Sequence, residues 1–324
     1  MFQKRTDLAL EAHEIYRQSE SREDVPGVIV DTEKLEKITV TRVHINDERG
    51  EGALGKPKGN YVTLEIPTLI HKEQATFERT IAVLADEIKR LIKLDDEASV
   101  LVVGLGNWQI TADSLGPKVV SSMLVTRHMF ELMPEEIEEG VRPVCALSPG
   151  VLGLTGIETS EIIRGVVEKV KPKLVIAIDS LASRKLERVS TTIQIADTGI
   201  TPGAGVGNAR RGLSIETLGV PVIAVGVPTV VDAATMANDA IDLVIDKLME
   251  QTGADSSFYQ ILKNIDRDDK YELIQEVLTP SLGNLIVTPK EVDEIIEDIS
   301  EIIANSINIA LHKGIELSDL NKYH

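Results

Sequence analysis

Two aspartates stand where a carboxyl group could do chemistry. Asp113 lies where a polar loop turns into a helix, and Asp179 follows the apolar run 174–178. Two carboxyl groups held close together cannot both ionise cheaply, so such a pair shares a proton. The ionised member can then draw a proton from water while the protonated member polarises a carbonyl, which is chemistry suited to cutting a peptide bond. The ordinary alternative is that each aspartate caps a helix or a turn.

The peptide bond between Asp7 and Leu8 is a candidate for cleavage by the protein itself. It lies in Thr6-Asp7-Leu8-Ala9, where an acidic residue precedes a hydrophobic residue and an alanine. Such a tetrad is common and carries little weight alone. It gains meaning only if Asp113 and Asp179 reach the same place in the folded chain.

The motifs present give little support to other chemistries. Gly104 and Gly106 match the start of a dinucleotide fingerprint, but its third glycine would fall at Gln109. The histidines include no His-x-x-x-His pair, and no Gly-x-Ser-x-Gly elbow occurs. Asp197-Thr198-Gly199 spells the tripeptide of pepsin-like proteases, but only once and in a chain patterned as α/β. We therefore expect no cofactor and no bound metal.

Composition narrows the possible partners. The chain has 324 residues and a net charge of −18, and a field of that sign argues against binding a phosphate backbone. Cys145 is the only cysteine, which fits a reducing compartment. No run of about 18 apolar residues and no charged-then-apolar leader is present, so we expect a cytoplasmic protein without membrane contact.

Residues 73–250 carry the pattern that must position the two aspartates. Apolar runs at strand length alternate with helical patterns at 73–93, 114–133, 159–170 and 232–250. This alternation predicts an α/β core, with a mostly parallel sheet and helices on both faces. Ligands of such sheets bind beyond the carboxyl ends of the strands, where Asp113 and Asp179 are expected.

The regions on either side of this core differ from it. Residues 8–72 predict a helix near 8–19 and a small β-rich region, with a flexible, glycine-containing connection at 50–59. Residues 251–324 begin with a polar, poorly periodic segment and end in an isoleucine-rich helix near 290–312. That last helix suits either the core or an interface between subunits.

Motifs spread over nearly the whole chain resemble the germination protease family of spore-forming bacteria. They are Arg5-Thr6-Asp7-Leu8-Ala9, Pro26-Gly27-Val28, the Gly104–Asn107 loop with Asp113-Ser114-Leu115-Gly116-Pro117, Ala177–Ala182, Asp197–Gly203 and Gly226–Asp232.

The resemblance implies an endopeptidase that begins the degradation of small acid-soluble spore proteins, cutting after Glu or Asp and before a hydrophobic residue. It implies a zymogen whose residues 1–7 are a pro-segment removed by cleavage at Asp7-Leu8. It also implies a homotetramer in the spore core, a fold like that of hydrogenase-maturation peptidases, and Asp113 and Asp179 as an aspartic-type dyad. The family has also been classed with metallopeptidases.

Cleavage after an acidic residue needs a cation in this acidic protein. Arg184, Lys185 and Arg188 form one candidate cluster, and Arg210 with Arg211 forms another. Exposed basic residues are more often plain solvated surface. Two other readings of the chain stay open: a metal-dependent maturation peptidase of the hydrogenase type, and a non-catalytic α/β binding module.

Overall fold

A computed structural model describes residues 6–20, 24–69, 73–95, 97–204, 210–252, 256–264, 270, 273–274, 276–277 and 285–320. The strands are β1 (Val28–Leu35), β2 (Ile38–Ile45), β3 (Gly59–Glu65), β4 (Val100–Gly104), β5 (Val144–Leu147), β6 (Leu174–Ser183), β7 (Thr192–Ala196), β8 (Val222–Asp232) and β9 (Ile286–Val287). Of the predicted pro-segment, residues 1–5 lie outside the described residues.

The helices of the described residues are numbered in chain order. They are α1 (Ala9–Glu20), α2 (Glu48–Leu54), α3 (Gln74–Leu91), α4 (Leu115–Ser121), α5 (Arg127–Leu132), α6 (Leu152–Thr155), α7 (Thr159–Val170), α8 (Ile215–Leu218), α9 (Ala233–Gln251), α10 (Ser257–Lys263), α11 (Val292–Leu311) and α12 (Leu317–Leu320).

The fold is α/β, but its sheet is mixed rather than mostly parallel. The strand order is β1-β2-β3-β7-β8-β6-β4-β5, with β9 paired to β8. Only the β8-β6, β6-β4 and β4-β5 pairs are parallel, and every pair from β1 through β7 to β8 is antiparallel. The strands of the N-terminal β-rich region therefore continue the same sheet, since β3 pairs with β7.

Helices cover both faces of this sheet, each over its own apolar core. On one face, α3, α4 and α11 pack over the larger core, which includes Ile88, Leu115, Ile176 and Ile303. On the other face, α7 and α8 pack on β4 and β6, and α1 packs with Val43 and Tyr61 of β2 and β3. The face with α1 is the one that matters for the site described below.

Two local predictions were wrong. Residues 50–59 were expected to be a flexible connection, but Asp47 caps a helix there by accepting hydrogen bonds from Arg49 and Gly50, and Gly55 ends it in a left-handed conformation. The helix predicted over 114–133 is two short helices, α4 and α5, because the chain leaves the helical path at Ser122.

The isoleucine-rich helix α11 belongs to the core. Ile296, Ile302, Ile303 and Ile307 on its inner face are fully buried against the sheet and α3. Within the described part of the chain, we find no helix of the length and apolar character that crossing a bilayer requires.

Candidate active site

The loop after β4 holds Asp113 against the end of the sheet. The N–H of Leu105 donates to the carbonyl of Ile178 on β6 at 2.8 Å, so the loop leaves β4 still bonded to the neighbouring strand. The N–H of Asn107 donates to the Asp113 carbonyl at 2.9 Å, and the buried Thr229 hydroxyl on β8 donates to the Ala112 carbonyl at 2.7 Å. These three bonds fix the position of Asp113 from both sides.

Three glycines allow this close packing. A methyl group on Gly106, whose φ is 113°, would overlap the Asp113 carbonyl oxygen. Gly104 at the end of β4 and Gly116 in α4 approach each other backbone to backbone, and a Cβ on either would overlap the other segment. The pattern that partly matches a dinucleotide fingerprint therefore serves to bring a strand end against a helix start.

Asp179 lies inside a strand, and not at the strand end that its sequence position predicted. Strand β6 runs on to Ser183, and Asp179 pairs with Gly226 of β8. However, β4 ends at Gly104, which pairs with Ile178, so Asp179 is the first residue of β6 beyond the end of β4. Its side chain, 5% exposed, accepts a hydrogen bond from the N–H of Ser180 at 2.9 Å.

Burial opposes the ionisation of both carboxyl groups, and the charge of Asp113 also acts on Asp179. Burial raises the pKa of Asp113 to about 6, against a backbone hydrogen bond from Asn107. Burial raises the pKa of Asp179 well above its ordinary range, and the negative charges of Asp113 and then Asp7 raise it further. Ionisation of either carboxyl group is therefore less favourable here than in water.

Asp7 is the third carboxyl group of this cluster, and it brings the Asp7-Leu8 bond with it. The Asp7 carboxylate accepts a hydrogen bond from the N–H of Ala182 on β6 at 3.0 Å. Burial raises the pKa of Asp7, while that bond and the charge of Lys56 act in the opposite direction. Leu8, on the other side of the bond, is fully buried. The three places singled out in the sequence thus meet in one site.

Two residues of this site were missed by sequence reasoning. Gln194 on β7 donates from Nε2 to the Asp7 carbonyl oxygen at 3.1 Å and accepts at Oε1 from the N–H of Ala9 at 2.7 Å. Lys56, just after α2, donates from Nζ to the Thr6 carbonyl at 3.3 Å. In the sequence, Gln194 between Ile193 and Ile195 fits the ordinary apolar–polar alternation of a strand, and its burial becomes visible only in the structure. Nothing in the sequence around Lys56 marks that residue either.

The first predicted cation cluster anchors α1. Glu11 accepts hydrogen bonds from the backbone N–H groups of Arg184 and Lys185 at 2.8 and 2.9 Å. Arg188, 4% exposed, pairs with Glu14 at 2.7 Å and with Glu65 at 3.0 Å.

The side chains of Arg184 and Lys185 are also engaged in ion pairs, with Asp239 at 2.8 Å and with Glu14 at 2.9 Å respectively. The cluster therefore holds the helix that follows the Asp7-Leu8 bond, and Lys56 is the cation whose charge acts on the Asp7 carboxylate.

The second predicted cluster lies on the protein surface. Arg210 and Arg211 are exposed and follow residues 205–209, which are outside the described residues. Arg210 lies 3.7 Å from Glu158, the residue that precedes α7. Across the described ranges, no three His, Cys, Asp or Glu side chains are grouped so as to hold a metal ion.

Comparisons with known proteins identify the chain. The family model described as Germination protease matches residues 9–257 and 246–324. The germination protease of Clostridium acetobutylicum is 56% identical over 322 residues, which cover 98% of both chains. That of Caldanaerobacter subterraneus is 54% identical over 318 residues, covering 98% of this chain and 97% of the relative. That of Bacillus cereus is 45% identical over 354 aligned positions, covering 98% and 96%.

The chain is therefore a peptidase, a class that agrees with two carboxyl groups placed beside one of its own peptide bonds. Because the match runs over its full length, it belongs to the germination protease family.

Proposed function

We propose that this protein is an aspartic-type endopeptidase in which Asp113 and Asp179 form the catalytic dyad, and that it first cuts its own Asp7-Leu8 bond. Removal of residues 1–7 then converts a zymogen into the working enzyme. The observation that carries the proposal is the burial of the intact bond beside the dyad: the charge of Asp7 raises the pKa of Asp179.

The chemical step needs one protonated and one ionised carboxyl group. The ionised carboxylate takes a proton from water as the water oxygen bonds to the Asp7 carbonyl carbon. The protonated carboxyl group donates to the carbonyl oxygen. When the bond between this carbon and the Leu8 nitrogen breaks, a proton passes to that nitrogen. The products are the Asp7 carboxylic acid and the free amine of Leu8, and the dyad regains its shared proton.

The surroundings of Asp7 support selection of an acidic residue before the cut. Its carboxylate accepts the N–H of Ala182, and the Lys56 charge stabilises its ionised form. An uncharged side chain at this place would lose the attraction of Lys56. Small acid-soluble spore proteins, cut after Glu or Asp in the spore core, are the substrates we propose, in line with the family to which the chain belongs.

We also propose that the enzyme works as a homotetramer. Helix α9 supports self-association because Ile241, Val244 and Leu248, at helical spacing on one side, are 39%, 58% and 37% exposed. A stripe of this kind on a surface helix is a common site of contact with another chain. The natural partner for such a stripe is a second copy of the same helix.

Self-cleavage of the full-length chain tests the proposal. The purified protein is incubated at mildly acidic pH and the new N-terminus is sequenced; Leu8 is the expected residue. Asp113→Asn and Asp179→Asn should each slow cleavage at least about a thousandfold, because each removes a group that transfers protons. Asp86→Asn is the matched control, since Asp86 lies exposed on α3 and pairs only distantly with Lys89, at 3.9 Å.

Three outcomes would contradict it. Equal cleavage by the parent chain and by a variant with both substitutions would show that the dyad takes no part, whereas a parent chain that never yields Leu8 would favour a non-catalytic module. Cleavage that stops with a chelator and returns with added metal would favour the metal-dependent alternative.

A further inference from the structure

The side chain of Gln194 spans the bond between Asp7 and Leu8. Its Nε2 lies 3.1 Å from the carbonyl oxygen of Asp7, and its Oε1 lies 2.7 Å from the nitrogen of Ala9. Gln194 is only 8% exposed, so these hydrogen bonds form away from bulk water. One amide group thus contacts the carbonyl to be attacked and the chain two residues further on.

The orientation of this amide is fixed by its partners. A carbonyl oxygen can only accept a hydrogen bond, and a backbone N–H can only donate one. The NH2 end of Gln194 must therefore face Asp7, and the oxygen end must face Ala9. In the reversed orientation, the Gln194 oxygen would face the Asp7 carbonyl oxygen and its NH2 group would face the N–H of Ala9. Both hydrogen bonds would then be lost in a buried place.

The sheet places Gln194 opposite the dyad. Asp179 of β6 pairs with Gly226 of β8, and Gly226 pairs with Gln194 of β7. Residues paired in this way across a sheet project from the same face, and two strand spacings amount to roughly 10 Å. Gly226 carries no side chain between them, and Leu181 lies over it. Asp179 and Gln194 therefore flank one strip of the sheet from opposite sides.

We propose that Gln194 is a catalytic residue that stabilises the negative charge developing on the oxygen of the carbonyl under attack. This inference rests on the proposed function. As the oxygen of the attacking water bonds to the Asp7 carbonyl carbon, the π electron pair moves onto the carbonyl oxygen, and the N–H of Gln194 binds the charged oxygen more strongly than the neutral one. When the bond to Leu8 breaks, the pair returns and the hydrogen bond weakens again.

Gln194 also has a structural role that the test must separate from this one. Its Oε1 binds the N–H of Ala9, the first residue of α1, and so caps that helix. Gln194→Glu keeps an oxygen for Ala9 but replaces the donor facing Asp7 by an acceptor while the new carboxyl group is ionised. Gln194→Met removes both contacts at similar size.

The experiment compares rates of Leu8 appearance in full-length chains. Gln194→Met should slow self-cleavage about 100- to 1,000-fold, the usual effect of removing one such donor. Gln194→Glu should be as slow near pH 7 and should recover relative to the parent as the pH falls, because a protonated glutamic acid again donates. A helix cap alone would produce no such recovery. Gln74→Met, at an exposed position of α3, is the control and should cleave at the parent rate.

The outcomes separate the two proposals. If Gln194→Glu cleaves near pH 7 within about threefold of the parent while Asp113→Asn is inactive, Gln194 is not catalytic and the dyad stands. If Asp113→Asn and Asp179→Asn both cleave normally, the proposed function fails, whatever Gln194 does. If Gln194→Met has a strongly lowered Tm, its slow cleavage could come from loss of the cap on α1. The pH profile of Gln194→Glu then decides whether Gln194 is catalytic.

Discussion

Asp7 and Ala182 form a reciprocal pair: the N–H of Asp7 donates to the Ala182 carbonyl at 3.4 Å, and the N–H of Ala182 donates to the Asp7 carboxylate at 3.0 Å. The first contact binds any residue, because it uses only the backbone. The second requires an acceptor on the side chain. The pair thus holds the backbone at residue 7 and also favours a side chain that can accept a hydrogen bond before the proposed cleavage point.

Lys56 should make the preference for an acidic residue depend on charge. Asp7→Asn keeps an acceptor for Ala182 but loses the attraction to Lys56, and we expect self-cleavage to slow about tenfold or more. Lys56→Met should slow the parent to a similar extent. Combining the two substitutions should add little, because each removes the same interaction. The self-cleavage rates of the parent, the two single variants and the double variant are measured by N-terminal sequencing and form a double-mutant cycle. Fully additive effects of the two substitutions would show that Lys56 does not recognise the Asp7 side chain.

Replacing Asp113 should stabilise the protein while abolishing cleavage. The raised pKa, about 6, means that the folded state binds this proton more tightly than the unfolded state. The free energy of unfolding therefore falls as the pH rises from about 4 to about 6, and stays lower above that range. Asp113→Asn avoids the buried charge and should gain about 2 kcal/mol at pH 7.5, allowing for partial contact with water.

Urea unfolding at two pH values checks this prediction. The gain should be about half as large at pH 5, where the folded parent already holds the proton. Asp86→Asn, at an exposed position of α3, should change the free energy of unfolding by less than about 0.5 kcal/mol at both pH values. If Asp113→Asn were less stable than the parent at pH 7.5, the ionised Asp113 carboxylate would not be destabilising the folded state.

Gly106→Ala should damage the site through the backbone. The new methyl group would overlap the Asp113 carbonyl, at a φ of 113° that side chains rarely adopt. We expect a loss of about 1–3 kcal/mol in the free energy of unfolding and a larger relative loss of self-cleavage. Gly165→Ala in α7 is the matched control, because a methyl group there meets no atom within 4 Å. It should stabilise the protein by about 0.5–1 kcal/mol.

Val244→Glu should weaken assembly without affecting the site. A charge in the middle of the exposed apolar stripe of α9 would have to be buried wherever that stripe meets a second copy. Sedimentation velocity at several concentrations should show a shift toward smaller species. Lys169→Glu, on the exposed side of α7, changes the charge in the same direction and should sediment like the parent. If Val244→Glu and Lys169→Glu sedimented alike, the contact between subunits would not involve the apolar stripe of α9.

Sequence patterns indicated that Asp113 and Asp179 lie toward one edge of the sheet, because the glycine spacing after β4 marks a loop, but they did not predict that β6 continues past Asp179. Only the family resemblance linked Asp7 to these aspartates. The patterns also failed to predict the direction of β7. Only the short 3-10 turn Leu186–Arg188 lies between β6 and β7, which flank β8, and two parallel strands of one sheet need a crossover of a dozen or more residues between them. That missing helix was visible in the sequence and should have predicted an antiparallel strand.

The role of the basic cluster could not be predicted, since it depends on pairing across the fold. Arg188 is 174 residues from Glu14, and the two are neighbours only because α1 lies over the segment after β6. Lys56 likewise acts on Asp7 through a turn that no local pattern connects to the site. Such long-range ion pairs produce no periodic pattern in the sequence. Composition alone therefore cannot show which lysine or arginine pairs with which acidic residue.

The anchoring of α1 has a kinetic consequence. Glu11 and Glu14 hold the helix from the far side of the Asp7-Leu8 bond, so the proposed cleavage would leave these contacts in place. A freshly cleaved chain would then be an enzyme with its own product tethered in place, at an effective concentration of millimolar order. Activity toward added substrate should lag behind the appearance of Leu8 at the N-terminus. The length of that lag measures how quickly the new N-terminus at Leu8 leaves the active site.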